Sequence, residues 1–311
     1  MPSPVVVDLS HNALIGVSGD DAAAFLHGQL TNDVQALAVG GAQWNGWCSP
    51  KGRLLATFLL MRRADGYLLL IPAEIAAPIA KRLGMFVLRS KVKIEDASTR
   101  LGRIGIVGDG AAALVARHWG AAPAPMASSE KDAAACVALE ADRFVAIVPA
   151  PSAAVLLERL GTGAARGGID DWERASIRAG VATIVAATQE AFVPQMANFD
   201  LVGGVSFTKG CYPGQEIVAR TQYRGTLKRR MALAHVDGTE RPAPGESVFS
   251  EAFGEQAAGI IVNAAPATEG GFDSLVVAQI ESLDRDDLRW KSPRGPALSI
   301  RAKPAPGRAG A

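Results

Sequence analysis

Hydrophobic and polar positions along the chain follow two periods. Tyr67 to Ile71 is a run of five apolar residues, followed by Pro-Ala and a helix-period stretch that ends in Arg82-Leu83. Phe144 to Leu160 repeats that pattern without a gap, through Pro149-Ala150 to Arg159-Leu160. Ahead of the first copy, Asp20 to Leu30 predicts a helix with Ala22, Phe25 and Leu26 turned inward. Trp44 to Cys48 and Leu54 to Met61 predict strands around a Ser49-Pro50-Lys51-Gly52 turn, and Asp65-Gly66 predicts the next hairpin. Asp170 to Gly180 predicts a helix, with Gly180 suited to its stop. Beyond Arg224-Gly225 the apolar runs shorten (231–236, 247–249, 257–263, 275–280, 298–300), with Pro- and Gly-rich turns between them. That spacing predicts a small antiparallel barrel.

A second pair of segments repeats as well, ahead of the first in each copy. Gly16-Val17-Ser18-Gly19-Asp20 matches Gly105-Ile106-Val107-Gly108-Asp109, each a strand leading through Gly-Asp into an Ala-rich helix that Asp20 or Asp109 would cap. Each copy therefore reads strand–helix–strand–strand–helix, most of a ferredoxin-like unit. The expected fold class is α+β: two such units, about 1–98 and 99–170, with 171–227 packing back on them. A C-terminal barrel would cover 228–302 and a disordered Pro/Gly/Ala-rich tail 303–311. The polar, Pro-rich segment from Ala121 to Asp132 reads as a mobile loop.

Composition removes several function classes. The 311 residues are 49% apolar and 20% charged, with a net charge of +1, so no global field draws in nucleic acid or an acidic membrane. Three cysteines, at 48, 136 and 211, share no short spacing, which argues against a disulfide framework and places the chain in a reducing compartment. No stretch approaches a membrane span, and Met1 to Leu9 lacks the basic region of a signal peptide, so the expected location is cytoplasmic. The histidines at 11, 27, 118 and 235 share no ligand spacing with any cysteine, so no independent metal site is expected. The Gly-Asp turns lack the glycine spacing of a phosphate loop.

The chemistry concentrates in Lys209-Gly210-Cys211-Tyr212-Pro213-Gly214-Gln215-Glu216. Pro213 suits a first helical position and Glu216 the first turn of a helix over 213–220, which places Cys211 just outside its positive end. With Lys209 two residues away, the thiolate of Cys211 is favoured and the sulfur suits reaction or metal binding. Arg220, Arg224, Lys228, Arg229 and Arg230 follow, interleaved with Tyr223. This basic stretch suits an anionic tail or RNA phosphate, and equally a solvated edge at the barrel entry. Arg174 and Arg178 lie one turn apart on the 170–180 helix and, with Gln195 and Asp200, could line a polar cleft.

The octapeptide resembles the signature of the YgfZ-type folate-binding proteins, relatives of a mitochondrial iron–sulfur assembly factor and of the glycine cleavage T-protein, an aminomethyltransferase. Its flanks agree: Trp172-Glu173-Arg174, Ile177-Arg178-Ala179-Gly180, Phe192-Val193-Pro194-Gln195, Asn198-Phe199-Asp200 and Arg224-Gly225. The resemblance covers roughly residues 14 to 300. It implies a T-protein-like framework with a tetrahydrofolate site, for which Thr31, Asn32, Asp33, Arg174, Arg178, Gln195, Asp200, Lys209, Tyr212, Gln215, Glu216, Arg220 and Arg224 are the candidate binding residues. Cys211 is then the functional thiol, with a transient role as ligand to an iron–sulfur cluster shared with a partner.

The same resemblance subtracts a reaction. The active T-proteins carry a catalytic aspartate just after the glycine turn of the third strand, where this chain reads Lys51-Gly52-Arg53-Leu54-Leu55-Ala56. Apolar side chains cannot orient or deprotonate a folate amine. Their pterin-gripping glutamate is replaced here by Arg178. The function implied is that of an accessory protein for iron–sulfur cluster assembly or repair, working with scaffold or carrier proteins and with client enzymes that include tRNA-thiomethylating ones, rather than an enzyme in its own right. The alternative is a folate-dependent one-carbon transferase. A direct RNA-binding module is disfavoured by the near-zero net charge.

Overall fold

The computed structural model describes residues 4–303. The chain opens with β1 (Val5–Asp8), β2 (Asn12–Ser18), α1 (Ala22–Gln29), β3 (Ala42–Cys48), β4 (Leu54–Arg63), β5 (Gly66–Pro72), α2 (Ala73–Gly84) and β6 (Lys93–Asp96). It continues through β7 (Leu101–Val107), α3 (Ala111–Trp119), β8 (Ser128–Lys131), β9 (Ala134–Glu140), β10 (Arg143–Pro149), α4 (Ala150–Gly161), β11 (Ala165–Arg166) and α5 (Ile169–Arg178). The last third holds α6 (Gln215–Tyr223), β12 (Arg229–Val236), β13 (Ser247–Phe249), β14 (Gly259–Pro266), β15 (Phe272–Gln279), α7 (Ile280–Arg285), β16 (Arg289–Trp290) and β17 (Ser299–Ala302).

The described residues fall into two compact units. One holds residues up to 28, 33–45 and 58–175; the other holds 29–32, 46–57 and 176 onward. The stretch 171–227, expected to pack back on the repeats, is thus divided at 175/176, and the last sheet begins at Arg229. Of the tail expected at 303–311, only Lys303 lies within the described residues.

The repeat read from the sequence is a repeat of structure. Strand order is β3-β4-β5-β2-β6 in one sheet and β11-β1-β7-β10-β9-β8 in the other, so β3, β4, β5 and β2 match β8, β9, β10 and β7. The junctions coincide closely: Pro72 (φ −53°, ψ 131°) and Pro149 (φ −55°, ψ 136°) both stand at the N-cap of a twelve-residue helix. The fixed φ of proline sets the exit angle of the strand, and its missing N–H costs no helical bond there. Within β10, Val145 and Ile147 face the core shared by the two sheets, while Phe144 and Ala146 face α3 and α4, the two-residue alternation of a strand. Trp172 lies against the shared core. A β-carbon at Gly105 would come within 2.6 Å of its ring, so the glycine makes room for the indole. The buried Arg143 sits over the Trp172 and Trp44 rings at 5.7 and 5.9 Å and pairs with Glu140 at 3.2 Å.

Several local expectations are corrected. Three strands, not two, separate the helices of each repeat. The Val5–Val7 run forms β1, which pairs with β7 and β11 of the second sheet, occupying beside β7 the place that β6 takes beside β2. Residues 121–132 are not simply a loop. They contain edge strand β8, joined to β9 by Asp132 and Ala133 at φ 51° and 63°, the two positive values of a tight hairpin turn. Exposure of β8 hides it from an apolar pattern. Asp109 does not cap α3, whose N-cap is Gly110 with no side-chain bond, and the Asp20 carboxylate goes to Lys91 at 3.2 Å.

The C-terminal strands form one curled antiparallel sheet, a half-barrel, in the order β16-β13-β14-β15-β12-β17. One face packs Met231, Val262, Leu275 and Val277 against Cys48, Leu54 and Phe192. The other packs Val276 and Ala278 against Leu283, Leu288 and Trp290.

Candidate functional site

Within the second unit, three separate pieces of chain close around the Cys211 loop (residues 209–216): residues 30–32, the β3–β4 turn and residues 203–206. Thr31 is wholly buried; its hydroxyl donates to Gly204 O at 2.7 Å and accepts from Gly46 N–H at 2.8 Å. Its backbone accepts from Ser206 N–H at 3.0 Å, and Asn32 Nδ2 donates to Gly203 O at 2.7 Å. Thr31 and Asn32 therefore brace the chain that leads into the octapeptide. Asp33 belongs to the other unit, where it pairs with His27 at 3.1 Å.

Lys209 is buried. Its ammonium turns inward, donates to Leu30 O at 2.7 Å and stands 5.0 Å from the centre of the Tyr212 ring. The ammonium is thereby tied to the 30–32 segment and to the Tyr212 ring. Burial, with Cys48 as a lesser contributor, pushes the Tyr212 phenol up. The helix starts two residues later than expected: Gly214 is the N-cap at φ 80°, so Pro213 precedes the helix, and Glu216 lies in its first turn. Gln215 folds back, its side-chain amide donating to Lys209 O at 3.5 Å and Gly210 O at 3.4 Å.

Gly214 and Gly52 explain why the loop holds this shape. A β-carbon on Gly214 would lie 2.5 Å from Ser49 O and 2.6 Å from Gly52 Cα; one on Gly52 would lie 2.8 Å from Ile217 Cβ. Both have positive φ, 80° and 69°, where glycine carries no steric cost. The turn expected to lack a catalytic acid and the loop carrying the cysteine thus touch backbone to backbone. The Arg53 guanidinium donates to Glu190 O (3.1 Å) and Ala191 O (2.8 Å), while Leu54, Leu55 and Ala56 are buried in β4, so residues 53–56 present no carboxylate.

The three thiols differ. Cys211 is exposed, whereas Cys48 and Cys136 are buried and burial pushes each up to about 12.

The arginines expected to share a polar cleft have separate partners. Arg174 pairs with Asp171, one turn back on α5. Arg178 pairs with Asp273 at 3.0 Å and Glu269 at 3.6 Å. Asp273 also faces His235 Nδ1 at 3.2 Å, and Asp237 faces His235 Nε2 at 3.3 Å. His235, Glu269 and Asp273 have the composition of a metal site, yet the Arg178 guanidinium already supplies their cation. No sequence signal pointed to this network.

Gln195 and Asp200 meet at Arg230, which donates to Gln195 O at 2.9 Å and pairs with Asp200 Oδ2 at 3.0 Å. Gln195 Nε2 donates to Val218 O at 2.8 Å and Asn198 Nδ2 to Met231 O at 3.0 Å. Three buried acceptors remain without a donor among the described residues: Gln195 Oε1, Asn198 Oδ1 and Asp200 Oδ1. Burial holds the Asp200 carboxyl above its ordinary range, opposed by Arg230. Arg220, Tyr223, Arg224, Lys228 and Arg229 are exposed along and after α6, and Phe207 meets Tyr223 edge-on at 6.3 Å.

Comparison with known proteins fits this geometry. Residues 3–129 match the family described as GCVT N-terminal domain. A protein named tRNA-modifying protein YgfZ, from Colwellia psychrerythraea, is 30% identical over 291 residues, covering 92% of this chain and 88% of its own. The Escherichia coli protein of the same name is 28% identical over 299 residues, covering 94% and 90%. Among solved structures, the glycine cleavage system aminomethyltransferase T of Bartonella henselae superposes with a TM-score of 0.79 at 18% identity, covering 97% of this chain and 86% of that one. Its likeness establishes the fold. From the length and identity of the sequence matches, together with the octapeptide that closes on the β3–β4 turn, the chain belongs to the YgfZ family.

Proposed function

We propose that this protein is a folate-binding accessory factor for iron–sulfur cluster assembly or repair, with Cys211 as its functional sulfur. The observation that carries this reading is the contrast among thiols: Cys211 is exposed on a loop fixed at both ends, by Lys209 to Leu30 and by Gly214 to Gly52, while Cys48 and Cys136 are buried. An exposed cysteine sulfur on a braced loop suits transient ligation of a cluster handed over by a scaffold or carrier protein. The relatives' names point to tRNA modification, and support of cluster enzymes that thiomethylate tRNA would connect the two. No helix of the described residues is long and apolar enough to cross a membrane, and the proposed location is the cytoplasm.

Reduced folate fits the polar residues available. Its pterin presents N–H donors, and Gln195 Oε1, Asn198 Oδ1 and Asp200 Oδ1 are buried acceptors lacking donors. Arg220, Arg224 and Lys228 are exposed cations of the charge needed for its glutamate carboxylates. Residues 53–56 offer no acid, so tetrahydrofolate here is read as a bound ligand rather than a one-carbon donor. Anaerobic reconstitution of a client enzyme with a scaffold protein tests the proposal: wild type should raise cluster loading and Cys211→Ser should not. Equal loading by both would overturn it. Turnover of tetrahydrofolate with an aminomethyl donor would instead support the transferase reading.

A further inference from the structure

The first unit carries a second candidate site, independent of Cys211. A cavity of about 370 Å³ opens between α3 and α4 over the end of the second sheet. Its size falls in the range of small-ligand sites, about 300–1,000 Å³. Its lining includes the apolar side chains of Trp119, Val148, Pro149, Pro151, Val155 and Leu156. Val155 is 51% exposed there, a branched apolar side chain on a helix whose next residue, Leu156, already packs inward. Arg117, Lys131 and Arg159 also line the cavity, with Asp132 as the single acid of the lining.

None of these three cations pairs with a carboxylate among the described residues. The Lys131 ammonium donates to His118 O at 2.9 Å, which neutralises the carbonyl end of α3 and leaves two of its donors available. His118 Nδ1 donates to Leu114 O at 3.1 Å, so its other ring nitrogen is not used by that bond. Pro149, Pro151 and Ser152, at the start of α4, form part of the wall. Formal charge in the lining is then +2, beside aromatic and aliphatic side chains. A phosphate monoester dianion on an aromatic body matches both halves, because guanidinium groups fork onto phosphate oxygens and the ring lies on Trp119 or Val155.

We infer that this cavity binds an aromatic phosphate of mononucleotide size. Calorimetric titration of the full chain with adenosine monophosphate and with 4-nitrophenyl phosphate tests it. At least one should saturate with a Kd below about 1 mM, the limit of useful affinity near −4 kcal/mol. Adenosine and inorganic phosphate, each carrying half the chemistry, should bind at least about tenfold more weakly, a difference of about 1.4 kcal/mol. Arg159→Glu should weaken binding at least about tenfold through the reversed charge, and Val155→Trp should abolish it by filling the cavity. Both positions are exposed, so circular dichroism and Tm should match wild type. Absence of saturation by both phosphates, equal binding of either half-ligand, or unchanged binding in the folded variants would overturn the inference.

Discussion

Gly52 and Gly214 meet through their backbones: a β-carbon at Gly214 would stand 2.6 Å from both the nitrogen and the Cα of Gly52. This contact locks the β3–β4 turn to the loop that presents Cys211. It also makes both positions intolerant of any side chain. Gly214→Ala should destabilise the protein by about 2–5 kcal/mol, from a left-handed penalty of about 1–2 and overpacking of about 1–3. Gly180, at φ 68° with nothing within 4 Å, is the control. Its alanine variant should lose only the backbone share, about 1–2 kcal/mol, in urea unfolding. Equal losses at both positions would show that the close approach contributes nothing.

Alkylation should separate the three thiols. Iodoacetamide at pH 8 should label Cys211 alone in the native protein, because the thiolate is the reactive form and burial pushes Cys48 and Cys136 up to about 12. Mass spectrometry of the digested protein reads the outcome. Labelling of Cys48 or Cys136 at a comparable rate before unfolding would remove the basis for assigning the function to Cys211.

Lys209 should matter for stability more than for the thiol. Lys209→Met removes a charge-assisted bond to Leu30 O and the contact with Tyr212, and should cost about 1.5–3 kcal/mol. The rate of Cys211 alkylation at pH 8 should stay within about twofold of wild type, a change of about 0.4 kcal/mol. A larger loss of rate would favour the sequence reading, in which this lysine activates the sulfur.

Asp200 should leave a pH signature. Burial raises its carboxyl above the ordinary range and Arg230 only partly offsets that. A raised folded pKa contributes stability that is fully present below the unfolded pKa and is lost as pH rises through the folded pKa. The stability of wild type relative to Asp200→Asn should therefore fall as pH climbs from about 3.8 upward, with a slope of at most about 1.4 kcal/mol per unit. Chemical denaturation of both proteins across pH 3.5 to 7 checks the sign. A relative stability that rises with pH would mean that the Arg230 pair outweighs burial.

The sequence by itself determined the parts that depend on near neighbours. Alternation in β5 and β10, the Pro-Ala junctions and the helices after them were legible because strand and helix periods act over a few residues, and Pro72 and Pro149 fix φ locally. The octapeptide announced a special loop because two glycines flanking a cysteine imply backbone positions that side chains cannot take. Only the tertiary structure decided where charges and edges went. Lys209 reaches a carbonyl 179 positions away, Thr31 one 173 away and Arg178 a carboxylate 95 away, and no local preference distinguishes those partners from other carbonyls and acids. Pairing of β1 with the second sheet and recruitment of residues 29–32 and 46–57 into the second unit have the same cause. Both depend on the path of the whole chain, which sets which unpaired backbone groups meet.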